Sequence, residues 1–496
     1  MAKVQSEYLI KRKNKDYEVI IGLEVHAQIL SESKLFSTSP TKFGAEPNTQ
    51  VSLVDAAFPG MLPVINEFCV KQAVKTGIGL NAKINKRSIF DRKNYFYADL
   101  PQGYQISQYK KPIVGEGKVT IDFKDGSTKD IRIIRLHLEQ DAGKSLHDQN
   151  PSKTFVDLNR SGVALMEIVS EPDIRSADEA GLYISKIRSI LMYLGTCDGN
   201  MQEGSLRADV NISVRKPGSD FGTRCEVKNL NSIKFIKQAI NYESNRQIKI
   251  IEEGGSIEQN TLLFNAFTGK TKPMRSKEEA HDYRYFPDPD LLPLDISQNE
   301  IDNLISQIPE LPDDRKNRYV NEYNLSNYDA SVLTSDKSVS DFFDNVIKFD
   351  ENLKKSSKIV VNWITSELFS LLNENDLEIK DSPIKPENLG KLVKLIEDNV
   401  ISGKIAKDVL LEMFDTKKDP EKIIEEKGLK QLTDISEIEN IVDEVINENQ
   451  KMVEQYLSGK DKLLGFFVGQ AMKKSKGKAN PKILNDILKE QLSKKN

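Results

Sequence analysis

The chain has 496 residues, and its 71 Lys and Arg side chains are set against 75 Asp and Glu, for a net charge of −4. That balance excludes a generally basic nucleic-acid coat, so any basic surface must be local. Three widely separated cysteines (Cys69, Cys197, Cys225) exclude a disulfide framework and point to a reducing compartment. The first 18 residues mix Lys and Arg with acids and hold no apolar run, unlike a signal or transit peptide. No apolar stretch approaches the ~20 residues that span a bilayer. A cytoplasmic protein with no membrane contact is expected.

Residues 18–30 (EVIIGLEVHAQIL) alternate with the period of a strand. Residues two apart share a face, so Glu24 and His26 stand side by side with Gln28 beyond, opposite an aliphatic face. Alone this could be a half-buried strand with a solvated outer face. Residues 31–62 form a loop rich in Ser, Thr, Pro and Gly, and residues 66–80 carry apolar residues at helical spacing. In residues 90–108 (FDRKNYFYADLPQGYQISQ), Arg92, Lys93 and Asn94 precede Tyr95, Phe96 and Tyr97, a mixture that suits a nucleotide or nucleic acid by charge and stacking, although a Tyr-Phe-Tyr run is more often core.

Residues 118–132 predict a hairpin. In the strand that continues from it, Ile131, Ile133, Arg135, His137 and Glu139 fall on one face and Ile134, Leu136 and Leu138 on the other. Gly143-Lys144-Ser145 follows, but Leu138 occupies the position where a phosphate-binding loop needs its first glycine. Glu167 interrupts the apolar run from Val163 to Val169, and a carboxylate buried there needs a cation. In residues 205–214, Arg207, Asp209, Asn211 and Ser213 oppose an unbroken apolar face; in residues 224–229, Arg224, Glu226 and Lys228 share one face. Carboxylates interleaved with Arg and Lys are the groups that hold Mg²⁺ and a polyphosphate together. A helix is expected over 233–253, ended by Gly254-Gly255, and the proline-rich residues 282–294 close the first domain.

After Ser297 glycine thins and helical patterns dominate. Residues 401–450 hold 7 basic and 13 acidic side chains, whereas residues 451–496 hold 11 and 4. Lys473, Lys474, Lys476 and Lys478 make the tail a candidate nucleic-acid contact, although charged runs are most often plain solvated surface.

These motifs resemble, nearly end to end, the B subunit of the aspartyl/glutamyl-tRNA amidotransferase. The resemblance rests on IGLEVHAQI (21–29), residues 90–108, RLHLEQDAGKS (135–145), DLNRSG (157–162), EIVSEPDIRS (167–176), EGSLRADVNISV (203–214) and EVKNLNS (226–232). It continues in DYRYFPDPD (282–290), SGKIAK (402–407) and GFFVGQAMKKSKGKANP (465–481). It implies an α+β fold. An N-terminal cradle with a mostly antiparallel, glutamine-synthetase-like sheet (1–296) precedes an all-α helical domain (297–405) and a small all-α tail that meets tRNA (406–496).

The implied activity is that of a ligase forming a carbon–nitrogen bond. ATP phosphorylates the side-chain carboxylate of Glu or Asp misacylated onto tRNA(Gln) or tRNA(Asn), and ammonia from a partner amidase then displaces phosphate. The family's magnesium ligands map onto Glu24, His26, Glu139 and Glu167. Lys93, Asn94, Arg207, Asp209, Asn211, Glu226 and Lys228 are candidate nucleotide contacts. Many members carry a Cys-x-Cys and Cys-x-x-Cys zinc site where this chain has Ser37, Ser39, Ser52 and Asp55, so no zinc is expected, with Phe36, Phe43 and Phe58 packing that loop instead. The chain has no Ser-rich amidase signature and no Cys/His pair for a glutaminase. The resemblance therefore implies two partners in a heterotrimer, namely the family's amidase, or A, chain and its small C chain. The alternatives are a non-catalytic tRNA-recognition scaffold and a stand-alone ligase acting on a free amino acid.

Overall fold

The computed structural model describes residues 8–12, 15–147, 149–150, 152–275, 283–429, 435–458, 460–475 and 478–494. It divides into two compact units, Met1–Arg315 and Lys316–Asn496.

The first unit is built on a nine-stranded sheet. Its strands are β1 (Leu9–Lys11), β2 (Asp16–Gln28), β3 (Gly117–Asp122), β4 (Thr128–Gln140), β5 (Ala164–Ser170), β6 (Leu206–Arg215), β7 (Cys225–Leu230), β8 (Thr261–Asn265) and β9 (Lys270–Arg275). The order across the sheet is β9-β8-β7-β6-β2-β5-β4-β3, with β1 pairing the start of β2. Neighbours are antiparallel except β7 and β8. That parallel pair needs a long crossover, and a helix supplies it. The alternation seen in the sequence sends Val19, Ile21, Leu23, Val25 and Ala27 of β2 into the core beside Leu206, Ala208, Val210, Ile212 and Val214 of β6. Each such side chain contributes roughly 1.5–3 kcal/mol on burial.

Three helices belong to the same core: α1 (Glu67–Gly79), α2 (Ala177–Leu194) and α3 (Ile233–Glu252). Each starts where a side chain takes up a free backbone N–H. Asn66 accepts from Phe68 N, Ser176 from Glu179 N and Ser232 from Phe235 N. α2 ends at Gly195, whose φ of 68° is left-handed. A fourth helix, α4 (Gln298–Ile305), lies after the change in composition at 297, yet it adds Ile301 and Leu304 to the first core.

The structure corrects the face assignment along β4. Val169 pairs with Arg135 but Ser170 pairs with Ile133, leaving Ile134 as a bulge. One extra residue reverses the parity of a strand. Ile131 and Ile133 therefore enter the aliphatic core with Leu136 and Leu138, and of the five residues assigned to the polar face only Arg135, His137 and Glu139 remain on it.

The loop at 31–62 is also held differently from the expectation. Phe36 is buried and meets Phe90 edge-on at 5.4 Å, but Phe43 and Phe58 are exposed. The fixed point is a buried ion pair, Lys34 Nζ to Asp55 Oδ2 at 3.0 Å. Asp55 also accepts from Ser37 Oγ (3.0 Å) and from the backbone N of Ser52 (2.8 Å). Gly162 lies against this carboxylate at φ +84°, where a Cβ would come within 2.7 Å of Asp55 Oδ1.

The second unit is helical. Its apolar side chains form one cluster from Tyr319 to Ile424 and another from Ile438 to Leu492. The helices expected from Pro386 and around Ile438 run over Pro386–Glu397 and Ile435–Glu448. In the last helix, Pro481–Ser493, Asn480 Oδ1 accepts from Ile483 N. No described helix is long and apolar enough to cross a membrane.

The ion pair under the loop yields a stability prediction. Asp55→Ala strands a buried ammonium and should destabilise the first unit by roughly 3–5 kcal/mol. Denaturant unfolding followed beside wild type measures it, and a change below about 1 kcal/mol would show that the pair does not hold the loop.

Candidate functional site

The register brings the polar groups of five strands onto one face. His26 of β2 lies between Glu167 of β5 and Arg207 of β6, and Glu167 in turn is opposite His137 of β4. Glu24 is opposite Asp209, and Asn211 opposite Glu226. Because strands are ~4.7–4.9 Å apart, such side chains fall within a few ångströms of each other.

His26 sits at the centre. Its Nδ1 is 3.5 Å from Glu139 Oε1 and 4.0 Å from Glu167 Oε2, and its Nε2 is 3.6 Å from Asp209 Oδ2. His137 Nε2 is 3.3 Å from Glu167 Oε2 and 3.7 Å from Glu139 Oε2. Asn211 Nδ2 donates to Glu24 Oε1 at 2.9 Å. Lys228 Nζ bridges Asp209 (3.1 Å) and Glu226 (2.9 Å). Glu226 Oε2 also accepts from Thr261 Oγ1 at 3.0 Å. The four residues mapped as magnesium ligands are therefore brought together, and so are Arg207, Asp209, Asn211, Glu226 and Lys228.

Charge sets the behaviour of the cluster. Burial, with Glu167 and Glu226 nearby, raises the pKa of Glu24. Burial works against a charged His26, but Asp209, Glu139 and Glu167 outweigh it and hold the imidazole at about 10. The same contest at His137, against Glu167 and Glu139, ends at about 9. Burial opposes ionisation of Glu167 and Glu139 too, yet the histidines hold Glu167 at about 2 and Glu139 well below the usual range. Asp209 is likewise lowered by His26 and Lys228 against its burial.

Lys93 comes from a small sheet in which Asp91–Asn94 pairs with Tyr104–Ser107 and Phe286–Pro287. Its Nζ lies 4.9 Å from the centre of the Tyr283 ring and 5.7 Å from that of Tyr95. Burial disfavours its charge, but the field of Tyr285, Glu139 and Glu167 raises its pKa. Asn94 Nδ2 donates to the carbonyls of Tyr283 (3.0 Å) and Arg284 (2.9 Å), fastening that segment down. In the tail, Lys474 pairs with Glu444 and Glu448 and Lys478 donates to Gly428 O, while Lys473 is exposed with no ion-pair partner among the described residues. Lys476 lies outside the described residues.

Sequence reasoning left His137 and Asp141 off the candidate set. His137 is two residues before Glu139 on the same strand face, which was signal enough. Asp141 holds Arg207 at 3.2 Å and Arg160 at 3.3 Å, but it lies just past the end of β4, where alternation no longer predicts direction. Tyr283 and Tyr285 belong to the segment expected only to close the domain.

The donor set fits a divalent cation. Glu24, His26 and Asp209 form one group whose ligand atoms lie within 4.8 Å of one another, and His26, Glu139 and Glu167 form a second. Nδ1 of both His26 and His137 is buried without a hydrogen-bond partner. A set dominated by carboxylate oxygen suits a hard ion such as Mg²⁺. His26 belongs to both groups, so an ion binding through its ring must displace its proton.

A pH prediction follows. Both histidines are raised from about 6.5, so their stabilising contribution is full below that value and is lost as pH rises through about 9 and 10. Glu167 is depressed, so its share is present above about 4.3 and lost as pH falls through about 2. These are two descriptions of the same pairs and do not add. In chelator, the thermal advantage of wild type over His26→Gln should be greatest between about pH 4.3 and 6.5 and shrink towards pH 10. An advantage that stays constant up to pH 10 would mean that His26 is neutral.

Comparison with known proteins agrees with the geometry. Residues 19–302 match the family model described as "GatB/GatE catalytic domain", and residues 341–492 match the "GatB domain". The aspartyl/glutamyl-tRNA(Asn/Gln) amidotransferase B subunit of Pelagibacter ubique (strain HTCC1062) is 63% identical over 494 residues, covering 99% of this chain and 100% of that protein. The B subunit of Rhodospirillum rubrum is 59% identical over 486 residues, covering 98% and 99%. With its carboxylate–histidine face inside the first matched region, the chain belongs to the family of aspartyl/glutamyl-tRNA(Asn/Gln) amidotransferase B subunits.

Proposed function

We propose that this chain carries the activating step of a tRNA-dependent amidation. ATP phosphorylates the side-chain carboxylate of Glu-tRNA(Gln), Asp-tRNA(Asn) or both. Ammonia attacks the acyl carbon, phosphate leaves, and Gln-tRNA(Gln) or Asn-tRNA(Asn) results. A carboxylate is a poor electrophile, so the phosphate is needed as a leaving group. The observation that carries this reading is the convergence of Glu24, His26, Glu139, Glu167 and Asp209, flanked by Lys93, Arg207 and Lys228.

In this reading Glu24, His26, Glu139 and Glu167 hold Mg²⁺. When bound, the ion neutralises phosphate oxygens during transfer between two anions. Lys93, in its tyrosine surround and in the field of Glu139 and Glu167, would offer its positive charge to phosphate. Arg207 and Lys228, braced by Asp141, Asp209 and Glu226, supply fixed positive charge, and Asn211 orients Glu24. Asn94 acts through the segment it fastens.

The cysteines support an external ammonia source. All three are buried and free, and burial pushes Cys69 up to about 11 and Cys197 to about 12 and raises Cys225. A thiol held that high is not a thiolate nucleophile at neutral pH. A partner amidase, the A chain of a heterotrimer completed by a small C chain, would therefore provide ammonia. We further place the tRNA-contacting role in residues 406–496, the catalytic role in residues 1–296 and the helical domain between them. We also propose a cytoplasmic location and the absence of zinc, since Lys34 already neutralises Asp55 at the would-be zinc position.

The test is ATP cleavage by the reconstituted heterotrimer, with ammonium supplied directly and each misacylated tRNA in turn. Glu139→Ala is expected to lower tRNA-dependent cleavage by roughly 10²-fold or more. Equal cleavage in the variant would move phosphoryl transfer elsewhere and leave this chain a tRNA-recognition scaffold.

A further inference from the structure

The first unit carries a second charged feature, away from the carboxylate face. A cleft of about 510 Å³ is lined by Lys83, Lys86, Arg87, Lys110 and Lys111, with no acidic residue among the described residues of its wall. All five cations are exposed. Arg87 pairs with Asp295 at 2.9 Å, while none of the four lysines has an ion-pair partner among the described residues. In a chain whose acids outnumber its bases, four lysines around one concavity with no acidic partner among the described residues repel one another.

The backbone beneath is firmly tied. Asn85 N donates to Ile113 O (3.0 Å), Gly115 N to Lys83 O (2.8 Å) and Ile89 N to Lys111 O (3.1 Å). Side chains add Asn85 Nδ2 to Pro112 O and Ser88 Oγ to Lys111 O, both at 2.8 Å. The two lysine-bearing segments are thus fixed across the cleft with their long side chains exposed. Tyr109, just before Lys110, is exposed and stacks on Tyr285 with ring centres 4.4 Å apart. The chain leaving Arg87 runs into Asp91–Asn94, so at most about 20 Å of backbone separates the cleft from Lys93.

We propose that this cleft seats the phosphate backbone of the RNA whose acyl end enters the carboxylate–histidine site. The inference rests on the tRNA-dependent reading above. A metal-bound nucleotide is disfavoured because no carboxylate among the described residues lines the cleft to share its ion. Lysines act as point charges, so they track a sugar–phosphate backbone without reading its sequence.

The test uses the reconstituted heterotrimer and Lys86→Ser, Lys110→Ser and Lys111→Ser combined, with tRNA affinity followed by fluorescence anisotropy between about 50 and 200 mM salt. The dependence of log affinity on log salt should lose about 0.7–0.9 per phosphate contact removed, so a slope shallower by about two is expected. KM for misacylated tRNA should rise about ten-fold or more with kcat at saturation unchanged, and Lys→Arg at the same three positions should keep the salt slope and KM of the wild type. A serine variant with unaltered slope and affinity, while wild type binds tRNA, overturns the proposal and leaves the amidation reading standing. Loss of the amidase or the small partner from the variant heterotrimer on gel filtration overturns it in favour of a protein interface. Failure of the wild-type heterotrimer to bind tRNA at any salt refutes the underlying reading, and this proposal with it.

Discussion

The structure depends on how it keeps carboxylates together out of water. Glu24, Glu139, Glu167 and Asp209 stand on adjacent strands at spacings set by the sheet, and their mutual repulsion in a poorly solvated site is large. Opposing charge on the same face holds them. His26 touches Glu139, Glu167 and Asp209, His137 touches Glu139 and Glu167, and Lys228 joins Asp209 to Glu226. These cations balance part of the acids' charge, and the imidazoles are kept protonated well above their ordinary range.

Everything around this face serves that balance. The opposite face of β2 and β6 is aliphatic apart from Tyr17 and is packed in one core with α1, α2 and α3, which holds the sheet against splaying its acids apart. The bulge at Ile134 lets one strand serve two purposes. Before it, Ile131 and Ile133 anchor β4 in the core; after it, Arg135, His137 and Glu139 face the site while Leu136 and Leu138 stay inside. The edge of β4 beyond its pairing with β3 is closed by a backbone bridge between Leu136 and Val114 and by side chains: Gln108 Oε1 accepts from Leu138 N at 3.1 Å, and Gln105 Nε2 donates to Gln140 O at 2.8 Å.

Strand period made most of the site legible, because one face of each strand must be apolar and the other then stands out. Glu24, His26, Arg207, Asp209, Asn211, Glu226 and Lys228 stand out for that reason, and the family motifs that contain them supply their expected roles. What period cannot carry is a break in period. The bulge at Ile134 has no Gly or Pro to mark it, so Ile131 and Ile133 were given the wrong face. Side chains beyond strand ends, such as Asp141, point where the local turn sends them. Long-range pairings were equally hidden: Tyr283 and Tyr285 reach Lys93 from nearly two hundred residues away. The loop of Ser37, Ser39, Ser52 and Asp55 shows the same limit. Lack of cysteine argued against zinc, but Lys34, three residues before Ser37, is the partner that occupies Asp55, and Phe43 and Phe58 are left in solvent.

The balanced charge also says how such a site can be both stable and reactive. If the acids were held by arginines alone, an arriving cation would meet sites already satisfied by groups that cannot lose a proton. Imidazole differs, since it can release its proton and present a lone pair, so His26 can exchange a proton for a metal ion without any movement of the sheet. Lys228 and Arg207, which keep their charge, sit at the flank and are braced by Glu226 and Asp141. The exchangeable charge is thus central and the permanent charge peripheral. For the phosphoryl transfer we propose, this order matters, because positive charge fixed before reaction needs no reorganisation when negative charge develops. A chain that only displayed RNA would gain nothing from concentrating carboxylates around two histidines, and would bear the repulsion for no return.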